Sequence, residues 1–149
     1  LTEPVAPSGL TAPHLKQFVR RGEALLYWSE RSGSRQAYLF DLKSGESRPL
    51  TEEAQALDAD SLSLSADEKS LFYFDGPVLH EDPLAGQTKP RELYRVADGA
   101  VRTGFALLSD GSPAFVERQA GRSRIMSIVR GNRRAVAASE ASGDRVRVW

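Results

Sequence analysis

The sequence predicts an all-β protein, and three observations support that prediction. Compact apolar runs recur along the chain, because the run LFYF at residues 71–74 lies 46 residues after LLYW at 25–28 and 43 residues before AFVE at 114–117. A polar turn precedes each run, and no stretch of twelve or more residues has helical periodicity. About four short strands fit each repeat of roughly 45 residues, which is the spacing of propeller blades. We therefore predict a partial β-propeller of about three four-stranded antiparallel blades.

The first blade is predicted over residues 17–57. Its apolar strand at 25–28 is followed by a polar loop, and the run YLF at 38–40 has the composition of a buried strand. A turn built on the letters KSGE follows at 43–46, where Ser and Gly favour tight chain reversal. Residues 47–50 then complete the blade as a short outer strand.

The second blade is predicted over residues 58–104. Strands at 61–64 and 71–74 flank a turn with the letters SADEK, which supplies the Asp that hairpin turns favour. Residues 77–90 are interpreted as an insertion that stretches this repeat. The phrase ELYRVADG then supplies the last strand of the blade.

The third blade is predicted over residues 105–140. A strand at 105–108, a turn containing Asp110 and Gly111, and a strand at 114–117 repeat the order of the second blade. Further strands are predicted at 125–129 and 135–138. The whole chain, residues 1–149, is thus interpreted as a single propeller-like domain.

Closed propellers have about four to eight blades, so three blades leave the flanks of the first and last blade uncovered. The chain opens on Leu1 and Thr2, which resemble the tail of a strand, and it ends on the strand-like letters SGDRVRVW. We therefore expect these residues to be part of a larger propeller. We also expect the isolated chain to self-associate through its open edges, as a dimer.

Composition excludes several kinds of site. Lys plus Arg and Asp plus Glu both number 20, and the absence of Cys excludes disulfides and thiolate metal sites. No apolar run approaches the roughly 18 residues of a membrane span. The charges are unevenly distributed, since residues 41–82 hold eleven acids and three bases, whereas 118–149 hold eight arginines and two acids. Such blocks indicate either solvated strand faces or, for the arginines, a basic surface for an anionic ligand.

The phrase LLYWSERSGSRQAYLFDLKSGESRPLT resembles the TolB-type, WD40-like β-propeller repeat, and the likeness extends over almost the whole chain. Within that group, the order of this phrase, LSADEKSLFYF and ELYRVADG is similar to the early blades of oligogalacturonate lyases. The resemblance implies a bacterial protein of the periplasm or exterior that binds carbohydrate.

Oligogalacturonate lyases split polyuronate by β-elimination with a divalent metal, Mn²⁺ or Ca²⁺. The metal withdraws charge from the uronate carboxylate and acidifies the neighbouring C–H, which a base removes. In the family, histidines and a glutamine from later blades hold the metal in the central funnel, whereas this chain has only His14 and His80. The resemblance therefore assigns no metal ligand and no catalytic residue to this sequence.

The two histidines are candidate ligand-binding residues. His14, in TAPHLKQF, either faces the funnel at the inner end of the first blade or lies in a solvated loop. His80 is followed by Glu81 and Asp82, which places an imidazole and two carboxylates within three residues. On a strand, alternation would direct Glu81 away from His80 and Asp82. We expect a surface loop there.

Arg122 and Arg124 are candidate ligand-binding residues because guanidinium groups hold carboxylates or phosphates bidentately. Arg130, Arg133 and Arg134 extend the same basic stretch. The chain lacks hydrolase-elbow, zinc-protease and P-loop motifs, and it has no series of aromatics to support nucleic-acid binding. We predict a ligand- or protein-binding propeller module without its own catalytic centre, whose partner is an acidic oligosaccharide or a protein. The alternative is part of a metal-dependent oligogalacturonate lyase.

Overall fold

The computed structural model describes residues 5–85 and 89–129, together with the backbone of a strand at Asn132–Ser139. Within these residues thirteen strands form three antiparallel sheets, and helix is confined to two short 3₁₀ turns. The predicted all-β class, with three propeller-like sheets, is confirmed. None of the helices in the described ranges is long and apolar enough to cross a membrane.

The first sheet contains five strands in the order β1-β3-β4-β5, with β2 also paired to β3. They are β1 (Ser8–Leu10), β2 (Phe18–Val19), β3 (Ala24–Ser29), β4 (Gln36–Asp41) and β5 (Ser47–Pro49). β1 and β2 pair with different parts of the same edge of β3, so the segment between them leaves the sheet and returns. Neither strand was predicted, because runs of three and two residues are too short to show period-two alternation.

The second sheet has the order β6-β7-β8-β9. Its strands are β6 (Ser63–Leu64), β7 (Ser70–Asp75), β8 (Val78–Pro83) and β9 (Arg91–Arg95). The interpretation of residues 77–90 as an insertion was wrong, since they contain β8, the third strand of this blade. A two-residue turn at Gly76 and Pro77, with Gly76 at φ +56°, reverses the chain directly from β7 into β8.

The third sheet has the order β10-β11-β12-β13. Its strands are β10 (Val101–Leu107), β11 (Pro113–Gln119), β12 (Arg122–Val129) and β13 (Asn132–Ser139). A register shift between Thr103 and Ala106 interrupts β10, and Gly104 there has φ +65°. This bulge divides the strand into two segments, which explains why only its second half was visible in the sequence pattern.

The hydrophobic core lies between the sheets because alternate residues of each strand face opposite neighbours. Leu26, Leu71 and Tyr73 belong to a cluster shared by the first and second sheets. Phe74, on the other face of β7, packs edge-on against Phe115 with ring centroids 5.2 Å apart, in a cluster shared by the second and third sheets. The aromatic residues of β7 thus pack between blades.

Polar contacts join segments that are distant in sequence. The ammonium of Lys16 and the backbone N–H of Arg20 both bind the carboxylate of Glu68, in the β6–β7 turn. These bonds lower the pKa of Glu68, with Lys16 the largest cause. Arg102, in β10, forms an ion pair with Asp58, which precedes β6 of the second blade. The blades are therefore tied together by charge-assisted bonds as well as by apolar packing.

The two outer flanks differ in exposure. On the flank of the first blade that faces away from the second, Leu10, opposite Tyr27, is 51% exposed and Phe18 is 56% exposed. On the far face of the third blade, Ala114 and Val116 are only 1% and 3% exposed. The uncovered apolar flank expected from the blade count is therefore seen on the first blade, whereas these two positions of the third blade are covered.

Candidate functional site

Among the clefts that the described residues form, two beside the boundaries between blades contain residues that could bind a ligand. Neighbouring blades radiate from a common axis, so their sheets are close at the inner strands and diverge outward. One cleft of about 560 Å³ lies between the first and second blades, and we call it the acidic cleft. A second cleft of about 360 Å³ lies on the face of the third blade turned toward the second, and we call it the arginine cleft.

A buried amide fixes the first-blade wall of the acidic cleft, which consists of residues 48–54. The side chain of Gln36 is 1% exposed; its Nε2 donates to the carbonyl of Ala54 at 2.7 Å. Its Oε1 accepts from the hydroxyl of Thr51 at 2.7 Å, and that hydroxyl oxygen accepts from the backbone N–H of Ala37. All these groups are buried and paired, so the wall is held in one conformation.

The second-blade wall of the acidic cleft comes from β7 and β8. Tyr73 pairs with His80 across the two strands, and their rings stack with centroids 5.4 Å apart. Asp82 follows His80 by two residues and therefore projects from the same face of β8. Glu81 projects from the opposite face and binds Arg91. The surface-loop interpretation of His80, Glu81 and Asp82 was wrong, whereas the expected separation of Glu81 from its neighbours is present.

Burial is the largest cause of the pKa shifts of the three titratable side chains in this wall. It raises the pKa of Asp82, whose side chain makes no hydrogen bond or ion pair with any described residue. Burial also lowers the pKa of His80, and Arg95 adds to that effect, while Asp75 and Glu92 oppose it. The pKa of Tyr73 is raised, chiefly by burial and then by the nearby carboxylates of Asp82 and Asp75. The wall thus consists of a neutral imidazole, a neutral phenol and a carboxyl group that has no partner among the described residues.

The rim of the acidic cleft carries both signs of charge. Glu52 and Glu53 lie on the first-blade side, together with Arg48, and Lys89 lies on the second-blade side. Asp75 also lines the cleft, but its carboxylate accepts the backbone N–H groups of two adjacent residues in the 51–57 connection. Asp82 is therefore the buried carboxyl group of this cleft that has no partner in the described part of the chain.

The arginine cleft is formed by the β11–β12 hairpin. Arg124 lies opposite Glu117 and Arg122 lies opposite Gln119, so all four side chains project from one face. Both arginines are exposed, while Glu117 is only 6% exposed. The hydroxyl of Tyr94, from the second blade, donates to Glu117 at 2.6 Å. The two predicted arginines therefore share one cleft, beside a carboxylate that is already hydrogen-bonded.

His14 lies in the segment between β1 and β2 of the first blade, and its side chain contacts the third blade. Its Nε2 donates to the backbone carbonyl of Phe105 in β10 at 2.8 Å. Ala12 and Leu15, on either side of it, are buried in the cluster between the second and third blades. His14 and His80 are thus placed in different parts of the fold and do not share a site.

The residues present do not fit the metal centre that the lyase resemblance implies. Among residues 5–85 and 89–129, no group of three or more His, Asp or Glu side chains is arranged to hold a metal ion. Of the basic stretch predicted near the C-terminus, Arg130 and the side chains of Arg133 and Arg134 lie outside the described residues, as do Leu1, Thr2 and 140–149.

Sequence reasoning missed the acidic cleft. Its walls come from residues about 30 positions apart, and no local pattern indicates that 48–54 faces β8. One signal was available: Val78 and Leu79 precede His80 directly after a Gly-Pro turn, which is typical of a hairpin strand. A strand there would have placed His80 and Asp82 on a common face.

Solved structures with the same fold include lyases and TolB. An oligogalacturonate lyase in complex with manganese is 22% identical and superposes with a TM-score of 0.80 over 91% of this chain and 42% of its own. The oligogalacturonate lyase of Vibrio parahaemolyticus is 19% identical, with a TM-score of 0.79 and the same coverage. TolB from Acinetobacter baumannii is 19% identical, with a TM-score of 0.61 over 84% of this chain and 32% of its own.

These likenesses confirm the predicted resemblance at the level of the β-propeller fold. The chain spans about 42% of the length of the two lyases. It matches no protein-family model, and no curated protein sequence is significantly similar to it.

Proposed function

We propose that this chain is a ligand-binding part of a β-propeller, without a catalytic centre of its own, and that it holds an acidic oligosaccharide at the arginine cleft. The observation that carries this proposal is the placement of Arg122 and Arg124 side by side on one strand face. Adjacent guanidinium groups present parallel N–H pairs, which match the two oxygens of a carboxylate.

Charge complementarity supports the anionic class of ligand. Glu117 is the acidic residue of the arginine cleft, and its carboxylate accepts the Tyr94 hydroxyl from the second blade. Gln119 and the backbone around Ala120 complete the cleft and offer neutral polar groups to sugar hydroxyls. A uronate oligomer combines carboxylates with hydroxyls and is therefore the ligand we propose. A protein with an acidic surface is the other partner that such arginines bind.

Binding of tri-galacturonate, measured by calorimetry at low and moderate salt, tests the proposal. We expect the double substitution Arg122→Ala with Arg124→Ala to weaken binding about tenfold and to flatten its salt dependence, because exposed charge pairs are screened. Arg118→Ala is the matched control, since Arg118 is exposed on the same hairpin but projects from the opposite face. If the control weakens binding equally, or if the double variant binds as tightly as the wild type, Arg122 and Arg124 are solvated surface residues and the proposal is wrong.

The second candidate function is part of a metal-dependent oligogalacturonate lyase acting by β-elimination. It is favoured by the TM-scores of 0.80 and 0.79 against two such lyases. Incubation of the chain with polygalacturonate and Mn²⁺ or Ca²⁺ tests it, because β-elimination creates an unsaturated product that absorbs ultraviolet light. Metal-dependent turnover by this chain would overturn the proposal that it lacks a catalytic centre.

A further inference from the structure

The acidic cleft has properties that the proposed oligosaccharide function does not use. It lies between the first and second blades, whereas the arginine cleft belongs to the third. Its volume of about 560 Å³ is within the range of small-molecule sites. Its first-blade wall is fixed by Gln36 and its second-blade wall by paired strands, so the cleft is formed before any ligand arrives.

Asp82 is the feature that points to a ligand. Its side chain lines the cleft, is 9% exposed, and has no hydrogen bond or ion pair with a described residue. Its carboxyl oxygens remain accessible from the cleft although the residue as a whole is buried, and most carboxyl groups in such surroundings are paired within the protein. An unpaired carboxyl group in a preformed cleft is therefore complementary to a ligand that brings donors or positive charge.

A second unsatisfied group lies beside the first. The Nδ1 atom of His80 is buried without a hydrogen-bond partner among the described residues. The His80 ring stacks on Tyr73, so two ring systems form the wall next to Asp82. Aromatic faces attract cations, which adds to the preference of the carboxylate for a positively charged group.

The surrounding charges favour a cation over an anion. Glu52, Glu53, Asp75 and Asp82 line the cleft against Arg48 and Lys89. The described residues form no cluster of three groups that could hold a metal ion, so an organic cation fits better than a metal. Leu50, Pro83 and Leu84 make part of the cleft lining apolar, and the charged rim supplies partners for hydroxyl groups.

We propose that the acidic cleft binds a small hydroxylated primary amine whose ammonium group donates to Asp82. The stacked Tyr73 and His80 rings flank the ammonium group. The hydroxylated carbon skeleton lies against the apolar part of the lining and hydrogen-bonds to the rim. This site is separate from the arginine cleft, and either can exist without the other.

D-glucosamine is the probe, with D-glucose and N-acetyl-D-glucosamine as matched controls. Glucose replaces the amine with a hydroxyl, and acetylation removes its charge while keeping the nitrogen. We expect wild-type protein, titrated at pH 7 by NMR chemical-shift changes, to bind glucosamine at least about tenfold more tightly than either control. Equal affinities for the three sugars, or no binding of glucosamine, would overturn the proposal without any variant being required.

Two variants locate the site. Asp82→Asn keeps the shape of the side chain and removes its charge, and it should lower the affinity for glucosamine by roughly tenfold. Asp60→Asn, at an exposed carboxylate outside the cleft, should leave that affinity unchanged. Glucosamine binding that is insensitive to Asp82→Asn, or equally sensitive to both changes, would show that general surface charge attracts the amine and would refute the assignment. Arg122→Ala with Arg124→Ala should leave glucosamine binding intact, so failure of one proposal is distinguishable from failure of the other.

Discussion

Replacing Tyr94 with Phe tests how the second and third blades are joined. The change removes one hydroxyl and keeps the ring, which packs against Phe115 with centroids 5.2 Å apart. The lost bond runs from the Tyr94 hydroxyl to Oε2 of Glu117 at 2.6 Å, and Tyr94 and Glu117 are 5% and 6% exposed. The carboxylate of Glu117 would remain buried without this donor.

The expected magnitude follows from burial and charge. A hydrogen bond to a charged group contributes about 1.5–3 kcal/mol, and a partner left buried loses its full desolvation free energy. We therefore expect Tyr94→Phe to lower the free energy of unfolding by about 2 kcal/mol. Solvent screening does not reduce this value much, because both residues are almost fully buried.

Urea unfolding, followed by fluorescence and circular dichroism, measures the change. With an m-value of about 1–3 kcal/mol/M, the midpoint should fall by roughly 1 M. Tyr27→Phe is the matched control: it also removes one hydroxyl bond, here to Ser47 at 2.9 Å, but in an exposed position. We expect the control to cost less than about 0.5 kcal/mol.

The double-mutant cycle with Glu117→Gln isolates the pair. If the bond carries the effect, the two single changes should be strongly non-additive. A Tyr94→Phe protein no less stable than Tyr27→Phe, or full additivity with Glu117→Gln, would refute the reasoning that this bond joins the blades.

Four further outcomes are expected. Asp82→Asn should raise the free energy of unfolding at pH 7. Because the pKa of Asp82 is raised in the folded protein, its ionised form destabilises the fold once the pH exceeds that pKa. Urea midpoints equal to those of the wild type would contradict this. The lowered pKa of His80 means that the unfolded chain binds the extra proton, so stability should fall as pH drops below about 6.5, and His80→Gln should reduce that fall. His14→Ala should cost about 1 kcal/mol through loss of the bond to the backbone of β10, with anion binding unchanged in calorimetry. The chain should dimerise in light scattering at micromolar concentration, and Phe18→Lys, on the exposed flank of the first blade, should restore the monomer; a wild-type monomer would contradict this.

Much of the fold could be predicted because its signals are local. The strand at 71–74, its preceding turn and the corresponding units of the other blades are specified by alternation and by turn residues a few positions apart. The Asp67 carboxylate, for example, accepts from the backbone N–H of Lys69 within its own turn. The main elements that were missed are β1, β2 and the first half of β10, which are short or bulged so that alternation is interrupted, and β8, which was interpreted as part of an insertion.

The candidate sites depend on both the local sequence pattern and the tertiary structure. Arg122 and Arg124 were proposed from their chemistry, outside the strand predicted at 125–129; β12 begins at Arg122, and residues two apart on a strand project to the same side. The same rule applied to His80 and Asp82, but the local pattern was interpreted as an insertion and a surface loop rather than as a strand. Pairing with β7 overrode that local preference, since the apolar residues before His80 are buried between the sheets.

The sequence by itself determined the all-β class, the three repeats and the strand faces on which the apolar residues lie. Tertiary structure alone decided which faces meet: His14 with the backbone of Phe105, Tyr94 with Glu117, and residues 48–54 with Asp82. The physical reason is the separation along the chain over which each kind of interaction acts. Turn chemistry and period-two alternation act within a few residues, whereas contacts between blades join residues far apart in the chain and form only when the sheets pack.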